Sequence, residues 1–247
     1  MSKRVDQKTA ARVVREQIAA EDRRRRVMWT AIGVTLAVLI AGAIGYGVWQ
    51  AQQPTKYNVP ATATEKKDGM VIPGTTGKAK VEIYLDYQCP ACKQVEDAIT
   101  PTVDQWIKDN KITLIYHPVA ILDQMSSPNQ YSTRASGAAA CAADGGKLYE
   151  FSKQLYARQP AENTGGLPDD DIIAAGGAAG LIDPAFARCV RDQTYKGWAK
   201  KVTDDFTKRG LQHTPTLFVN DVEVVADKGK GDTSVVDALK RMVTDVK

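Results

Sequence analysis

The sequence predicts an α/β domain with a helical insertion, preceded by a single membrane-spanning helix. Three observations lead to this fold class. Residues 27–49 form an apolar segment without a formal charge. A β-rich run at residues 80–85 leads into a helical pattern, and a second β-rich run follows at residues 112–116, which is typical of a strand–helix–strand unit. A mostly helical stretch at about residues 125–208 then precedes a closing hairpin and helix.

The apolar segment is long enough to cross a bilayer. Its 23 residues, at roughly 1.5 Å of helical rise each, span a hydrocarbon core of about 30 Å. Four arginines at residues 23–26 precede it, and because basic residues stay on the cytoplasmic side, we expect residues 1–26 to form a cytoplasmic tail. A cleavable signal peptide has a shorter apolar core and a small-residue cleavage site. The sequence therefore predicts an uncleaved, single-pass signal anchor at residues 27–49, in contact with the lipid bilayer of the cell membrane, and an extracytoplasmic domain after it.

Charge is distributed unevenly along the chain. Residues 1–50 contain nine Lys or Arg and four Asp or Glu, whereas the whole chain carries a formal net charge of +4. The exported part, residues 51–247, therefore has a net charge of −1. The basic pI reflects membrane topology, so no nucleic-acid partner is expected.

The motif Cys-Pro-Ala-Cys at residues 89–92 lies between the first β-rich run and the helical pattern. A helix N-terminus carries partial positive charge, which favours a thiolate over a thiol. Two cysteines at this position can exchange between dithiol and disulfide with an external partner. Half of a zinc site has the same spacing but needs a second ligand pair. Since Cys141 and Cys189 stand alone in the sequence, no metal is expected, while a structural disulfide within the motif stays an alternative.

The other two cysteines are expected to pair with each other. Cys141 and Cys189 both fall in the helical stretch, with 47 residues between them, and disulfides persist outside the cytoplasm. Closing such a loop contributes roughly 3–4 kcal/mol in the chain-entropy model. Two buried free thiols are the alternative.

Domain boundaries follow from composition. Residues 50–69 contain two prolines and few apolar side chains, which predicts an extracytoplasmic linker. Residues 70–247 then form the folded domain, with its helical insert at about residues 125–208. A hairpin is predicted near residues 216–225, because an Asn-Asp pair separates two apolar runs.

This order of elements resembles the DsbA-like thiol–disulfide oxidoreductases, which have a thioredoxin fold with a helical insertion. The resemblance covers about residues 70–247. It depends on two motifs, Asp-Tyr-Gln-Cys-Pro-Ala-Cys at residues 86–92 and His-Thr-Pro-Thr at residues 213–216.

The resemblance implies roles for individual residues. Cys89 matches the cysteine that exchanges with substrate, and Cys92 matches its more buried partner, so both are expected to be catalytic. Pro215 matches a cis-proline that faces the active-site disulfide, and an extended substrate can pair with the backbone of Thr214 before it. The residues expected to bind substrate are Pro90, Ala91, His213, Thr214 and Pro215.

One departure from the pattern affects proton transfer. Thioredoxins carry a buried acid six residues before the first cysteine, and Ile83 occupies that position here. Asp86 lies nearby but out of register, where a turn role and an electrostatic influence on the cysteines are both open.

The resemblance implies an enzyme without a bound cofactor that introduces disulfide bonds into exported, unfolded proteins with free thiols. It also implies a membrane reoxidase of the DsbB or VKOR type. The alternatives are a disulfide reductase or isomerase on the same fold, or a non-catalytic chaperone or binding module with a structural Cys89–Cys92 disulfide.

Overall fold

The computed structural model describes residues 2–52, 56–231 and 233–246. The chain divides into an N-terminal unit and a second unit that begins at Lys56. The N-terminal unit is helix α1 (Ser2–Gln52). Its segment Glu21–Trp49 has a mean hydropathy of 2.2, and none of the apolar stretch is buried against protein. This helix is long and apolar enough to cross a membrane.

A mixed sheet forms the centre of the second unit. Among the described residues it has five strands in the order β1-β3-β2-β4-β5. Strands β2 and β3 are parallel, and the other pairs are antiparallel. The bounds are β1 Met70–Val71, β2 Ala79–Leu85, β3 Ile112–Pro118, β4 Thr216–Val219 and β5 Val222–Glu223. The predicted strand–helix–strand unit and closing hairpin are both present.

Seven α-helices are described in this unit, besides two short 3₁₀ helices at Asp123–Ser126 and Lys228–Lys230. Helix α2 links β2 to β3, five α-helices lie between β3 and β4, and α8 follows the hairpin. Their bounds are α2 Pro90–Lys108, α3 Tyr131–Asp144, α4 Leu148–Ala157, α5 Asp169–Ala178, α6 Pro184–Arg191, α7 Lys196–Lys208 and α8 Val235–Thr244. The predicted α/β architecture with a helical insertion is confirmed.

Helices cover both faces of the sheet, so its central strands are buried on both sides. Alternate side chains of a strand point to opposite faces. Tyr84 of β2 packs against Phe206 of α7 and stacks on His117 of β3. Tyr116, the neighbour of His117, instead donates a hydrogen bond to Glu96 of α2. The core therefore has two layers, one beneath α7 and one beneath α2 and α8.

A disulfide joins two helices of the insertion. Cys141 on α3 and Cys189 on α6 have an S–S distance of 2.05 Å. Helix α3 is almost entirely buried and contacts α4, α6 and α7. The bridge therefore attaches α6 to the central helix of the insertion.

The predicted linker boundary is wrong, because the folded unit starts well before residue 70. Tyr57 and Val59 pack against the core. The Asn58 side-chain amide donates to the carbonyl of Thr194 (3.2 Å), and Ala63 forms a β-bridge with Met70. Residues 50–52 belong to α1, and residues 53–55 lie outside the described part of the chain. Hydrogen bonds to the insertion order this polar stretch, which composition alone does not indicate.

The buried side chains of Glu82 and His117 form a polar cluster with the partly exposed Lys80. The Glu82 carboxylate lies 3.1 Å from Lys80 Nζ and 3.3 Å from His117 Nε2. Burial acts to raise the pKa of Glu82, but the contacts with His117 and Lys80 outweigh it and lower this pKa to about 2. His117 Nδ1 also lies 2.6 Å from the carbonyl oxygen of Asp68. A Cβ at Gly69 would lie 2.6 Å from the His117 ring, so glycine permits this close approach.

Removing the disulfide should destabilise the folded unit. The bridge spans 48 positions, so the double variant Cys141→Ser/Cys189→Ser should lose about 3–4 kcal/mol of unfolding free energy. Urea unfolding of the full chain in detergent measures this loss. The variant Cys89→Ser/Cys92→Ser, which keeps the bridge, is the matched control. Equal stability of the two double variants would show that the bridge contributes nothing.

Glu82 should make the fold sensitive to acid. Because the pKa of Glu82 is about 2 in the folded state against 4.5 as its ordinary value, its stabilisation is present above about pH 4.5 and lost as the pH falls towards 2. The difference in unfolding free energy between wild type and Glu82→Gln should shrink by about 1–2 kcal/mol from pH 5 to pH 2. This value is smaller than the full pKa difference implies, because solvent screens the contact with the partly exposed Lys80. Urea unfolding at both pH values measures it. Asp97→Asn, in the exposed pair with Lys93, is the control, and an unchanged advantage for Glu82 would contradict the assignment.

Candidate active site

The two cysteines of the motif lie where β2 passes into α2. Cys89 is the N-cap residue of α2, and Pro90 occupies the first helical position, where its missing N–H and fixed φ fit the helix start. The backbone N–H of Cys92 donates to Cys89 Sγ (3.4 Å). A sulfur atom thus takes the place of the oxygen that usually caps a helix.

The two thiols have different environments. Cys89 is 7% exposed and Cys92 is 3% exposed, and both are free thiols. A hydrogen bond from the Cys92 thiol, assisted by the backbone N–H groups of Cys92 and Ala91, lowers the pKa of Cys89 to about 6 against the effect of burial. Burial and the neighbouring Cys89 sulfur raise the pKa of Cys92 well above its ordinary value. Cys89 is therefore the thiolate and Cys92 the thiol at neutral pH.

The segment that precedes β4 lies against Cys89. Cys89 Sγ lies 3.4 Å from the carbonyl oxygen of Thr214, to which it can donate only in its thiol form, and the Thr214–Pro215 peptide bond is cis. Pro90 and Ala91 are exposed beside the sulfur atoms. Cys89 and Thr214 are 125 positions apart in the sequence, and the fold brings these two predicted site residues into contact.

His213 is the predicted site residue with the weakest link to the sulfur atoms. It is exposed, and its described hydrogen bonds are with Thr216, whose hydroxyl donates to the His213 carbonyl oxygen (2.6 Å). Its position next to Thr214 keeps it at the rim of the site, without a described contact to either cysteine.

Asp86 is completely buried at the base of the motif. Its Oδ1 accepts from the Gln88 N–H (2.9 Å) and the Ser132 hydroxyl (2.6 Å), and its Oδ2 accepts from the Leu122 N–H (3.0 Å). Burial raises the pKa of Asp86 to about 7, although these three hydrogen bonds favour the carboxylate. Both roles left open by the sequence, turn former and charged neighbour, apply to this residue.

The backbone of Asp86 also contacts the motif. Its N–H lies 3.5 Å from Cys92 Sγ, and its carbonyl oxygen accepts from the Cys89 N–H (3.0 Å). Asp86 therefore touches both cysteines through its main chain while its side chain reaches the insertion.

Gln159 is a site residue that sequence reasoning missed. It follows α4, and its side-chain amide donates to the carbonyl oxygens of Tyr87 (3.0 Å) and Cys89 (2.9 Å). These two bonds attach the turn that carries Cys89 to the helical insertion. A glutamine far along the chain in a polar stretch carries no local signal for this contact.

A second buried acid lies on α2, four residues after Cys92. Glu96 accepts from the Tyr116 hydroxyl (2.7 Å), and burial raises its pKa to about 7. Among the described residues, no group of three or more His, Cys, Asp or Glu side chains is arranged to hold a metal ion.

Comparison with known proteins places this site in a family. A family model described as thioredoxin matches residues 65–241, so the chain belongs to this thioredoxin family. The predicted resemblance and fold class are confirmed.

Solved structures give the same result. Reduced DsbA from Mycobacterium tuberculosis is 25% identical with a TM-score of 0.57, over 73% of this chain and all of that one. The thiol–disulfide oxidoreductase MdbA from Actinomyces oris has a TM-score of 0.61 over 77% of this chain and 90% of that one, and at 22% identity its likeness concerns the fold alone. The chain thus has a DsbA-like fold, which supports thiol–disulfide oxidoreductase activity in general terms.

One curated relative is named as a protein kinase. The serine/threonine-protein kinase PknE of Mycobacterium tuberculosis is 27% identical over 167 residues, which is 65% of this chain and 30% of that protein. The chain therefore spans less than a third of the length of this relative.

Alkylation should distinguish the two thiols. With a pKa of about 6, roughly nine-tenths of Cys89 is thiolate at pH 7, whereas an ordinary cysteine is a few per cent ionised. Iodoacetamide should modify Cys89 in preference to Cys92, with a rate midpoint near pH 6. Peptide mass spectrometry after brief labelling between pH 4 and 9 measures this. The control is Cys92→Ala, in which the midpoint should move upward because the side-chain hydrogen bond to Cys89 is lost. Modification of Cys92 before Cys89 in wild type would refute the assignment.

Proposed function

We propose that this chain is a membrane-anchored, extracytoplasmic thiol–disulfide oxidoreductase that introduces disulfide bonds into exported proteins. The observation that carries the proposal is the position of Cys89 at the N-cap of α2, with a pKa lowered to about 6 and the carbonyl of Thr214 beside it. Cys89 and Cys92 are the catalytic residues in this proposal.

The exchange takes place in two displacements. A substrate thiolate attacks Cys89 Sγ of the Cys89–Cys92 disulfide, and Cys92 leaves and takes up a proton. A second substrate thiolate then attacks the mixed disulfide and releases Cys89 as a thiolate. The substrate loses two electrons and gains a disulfide, and the enzyme is left reduced, with Cys92 as a thiol and Cys89 as a thiolate.

The direction of transfer follows from the stability of the products. Stabilising the Cys89 thiolate stabilises the reduced enzyme, which makes the oxidised enzyme the stronger oxidant. The helix N-terminus and the Cys92 thiol provide this stabilisation. Residue 91 is alanine and adds no charge, so we propose moderate oxidising power.

Substrate recognition is proposed at the exposed rim of the site. Pro90 and Ala91 flank the sulfur atoms, and an extended chain can pair with the backbone of Thr214 as an added strand. His213 and Pro215 flank Thr214 in the same segment. Backbone pairing is independent of side-chain sequence, which suits an enzyme that meets many unfolded chains.

The membrane segment supports the proposed location. Helix α1 is apolar at residues 27–49, and arginines at residues 23–26 precede this segment, which supports a cytoplasmic N-terminus under the positive-inside rule. The Cys141–Cys189 disulfide suits an oxidising compartment. After each substrate is oxidised, the reduced Cys89–Cys92 pair must be reoxidised. We propose a membrane reoxidase of the DsbB or VKOR type as the partner for this step.

Oxidation of a reduced model protein tests the function. Full-length wild type in detergent should restore activity to reduced ribonuclease, and Cys89→Ala should lose this activity by at least a hundredfold because no sulfur remains to form the mixed disulfide. Cys92→Ala should accumulate the mixed disulfide at Cys89. The variant Cys141→Ser/Cys189→Ser is the control and should retain activity below its unfolding temperature.

Three results would contradict the proposal. Full activity of Cys89→Ala would exclude the catalytic assignment. A Cys89–Cys92 reduction potential near that of thioredoxin, about −270 mV, would favour a reductase. A bridge that glutathione and dithiothreitol cannot reduce would leave a binding module.

A further inference from the structure

Gln159 connects the helical insertion to the carbonyl group of Cys89. It lies two residues after the end of α4, and its side chain is half-buried. Both of its described partners, the main-chain oxygens of Tyr87 and Cys89, are acceptors, so the nitrogen end of the amide must face the turn. A carboxylate of the same shape would face these two oxygens without a hydrogen atom to donate.

The two carbonyl groups differ in their other contacts. Tyr87 has a second attachment to α4, because its hydroxyl shares a hydrogen bond with Ser152 (2.7 Å). The Cys89 carbonyl oxygen also accepts from the N–H of Lys93 (3.2 Å), which is the first hydrogen bond of α2. Gln159 therefore fastens the main chain of Cys89 to the insertion, whereas Tyr87 keeps an anchor there without it.

The oxidised and reduced forms of the site depend differently on this contact. In the oxidised form, a covalent bond to Cys92 fixes the sulfur of Cys89. In the reduced form, that sulfur has no covalent partner, and it accepts a hydrogen bond from the Cys92 N–H (3.4 Å). This weaker contact requires the backbone of Cys89 to stay in place, and Gln159 restrains that backbone. Removing the Gln159 amide should therefore disturb the reduced form more than the oxidised form.

We propose that Gln159 is a positioning residue that stabilises the reduced Cys89–Cys92 pair by holding the backbone of Cys89 at the N-terminus of α2. This inference rests on the proposed thiol–disulfide exchange. With glutathione as the reductant, two glutathione molecules lose two electrons and two protons and form glutathione disulfide. Both electrons enter the Cys89–Cys92 bond, which breaks. One proton goes to Cys92, the other goes to solvent, and Cys89 is left as a thiolate.

The equilibrium with glutathione at pH 7 tests this role. The full chain in detergent is equilibrated in mixtures of glutathione and glutathione disulfide, and mass spectrometry of the peptide containing residues 89–92 gives the reduced fraction. Gln159→Met keeps the length of the side chain and removes both donors. It should lower the equilibrium constant for reduction roughly threefold to tenfold, as the loss of one or two hydrogen bonds implies. A contact of equal strength in both redox forms would lower the free energy of unfolding and leave this constant unchanged.

The pH profile of Cys89 gives a second readout. In Gln159→Met, the rate of labelling by iodoacetamide at about pH 6, the value to which the pKa of Cys89 is lowered, should fall relative to the rate at pH 9. Fewer Cys89 side chains are then thiolates. The titratable groups around this residue are the same as in wild type, namely Cys92 on α2, Asp86 in the turn and His213 in the segment before β4.

Gln154→Met is the matched control. Gln154 lies on α4 and is also half-buried, but the oxygen of its side-chain amide accepts from Arg158. This variant should give the wild-type constant and the wild-type profile. An unchanged constant in Gln159→Met would overturn the proposal, and so would an equal fall in Gln154→Met.

A second variant covers the case in which Gln159→Met does not fold. Gln159→Glu keeps the shape of the side chain but places a carboxylate against the two carbonyl oxygens, so the constant should fall roughly threefold or more. Gln154→Glu adds the same charge to α4 and should stay close to wild type. A wild-type constant in Gln159→Glu would contradict the proposal. Because glutathione replaces the protein substrate, failure to oxidise reduced ribonuclease would count against the proposed function alone.

Discussion

The hydrogen bonds to the Asp86 side chain hold the turn that carries Cys89, and the geometry of the site depends on them. Ser132 and the Leu122 N–H anchor the carboxylate to the insertion and to the loop after β3. A buried carboxylate costs several kcal/mol unless hydrogen bonds compensate it, so the donors and the acid must be retained together. The main chain of the same residue contacts both cysteines. One compensated buried charge thus determines where two sulfur atoms lie relative to the start of α2.

The insertion takes part in the site as well as covering the sheet. Gln159 bonds two carbonyls of the cysteine turn, and Ser152 of α4 shares a hydrogen bond with the Tyr87 hydroxyl (2.7 Å). Helix α3 carries Ser132 and is joined to α6 through Cys141. The disulfide therefore stiffens the helix that supports Asp86. The Cys141–Cys189 pair is therefore connected to the Cys89–Cys92 pair through packing and hydrogen bonds. This connection involves no disulfide exchange between the two pairs.

Local sequence patterns predict the strand and helix that carry the two cysteines. They do not predict the distant residues that hold the cysteine turn in place. Cys89 and Cys92 are recognisable because the motif, the preceding strand and the Pro-initiated helix are contiguous. Thr214 is predicted from its neighbour Pro215 and from the order of elements in the family. Asp86 lies within the motif region of the sequence, but its contacts with Leu122 and Ser132 span 36 and 46 positions, and no spacing rule encodes them.

The start of the folded unit was misplaced for the same reason. Residues 56–69 are polar and contain proline, which locally resembles a tether. Their order comes from hydrogen bonds to partners that the fold brings near, such as Asp144 for the N–H of Ala61 (2.9 Å). Long-range bonds of this kind depend on the assembled tertiary structure, whereas a helix cap or a buried strand depends on its own segment.

Two opposing influences act on the reduced cysteine pair. The N-terminus of α2 and the Cys92 thiol favour a thiolate at Cys89, whereas an ionised Asp86 disfavours it. Stabilising the thiolate without limit would favour transfer of the disulfide to a substrate but would oppose reoxidation of the cysteine pair, because both effects come from a more stable reduced form. A buried acid beside the cysteine pair acts in the opposite sense and limits this stabilisation when it is ionised. A catalyst of thiol–disulfide exchange passes through both redox forms in every cycle, so neither form can be far more stable than the other.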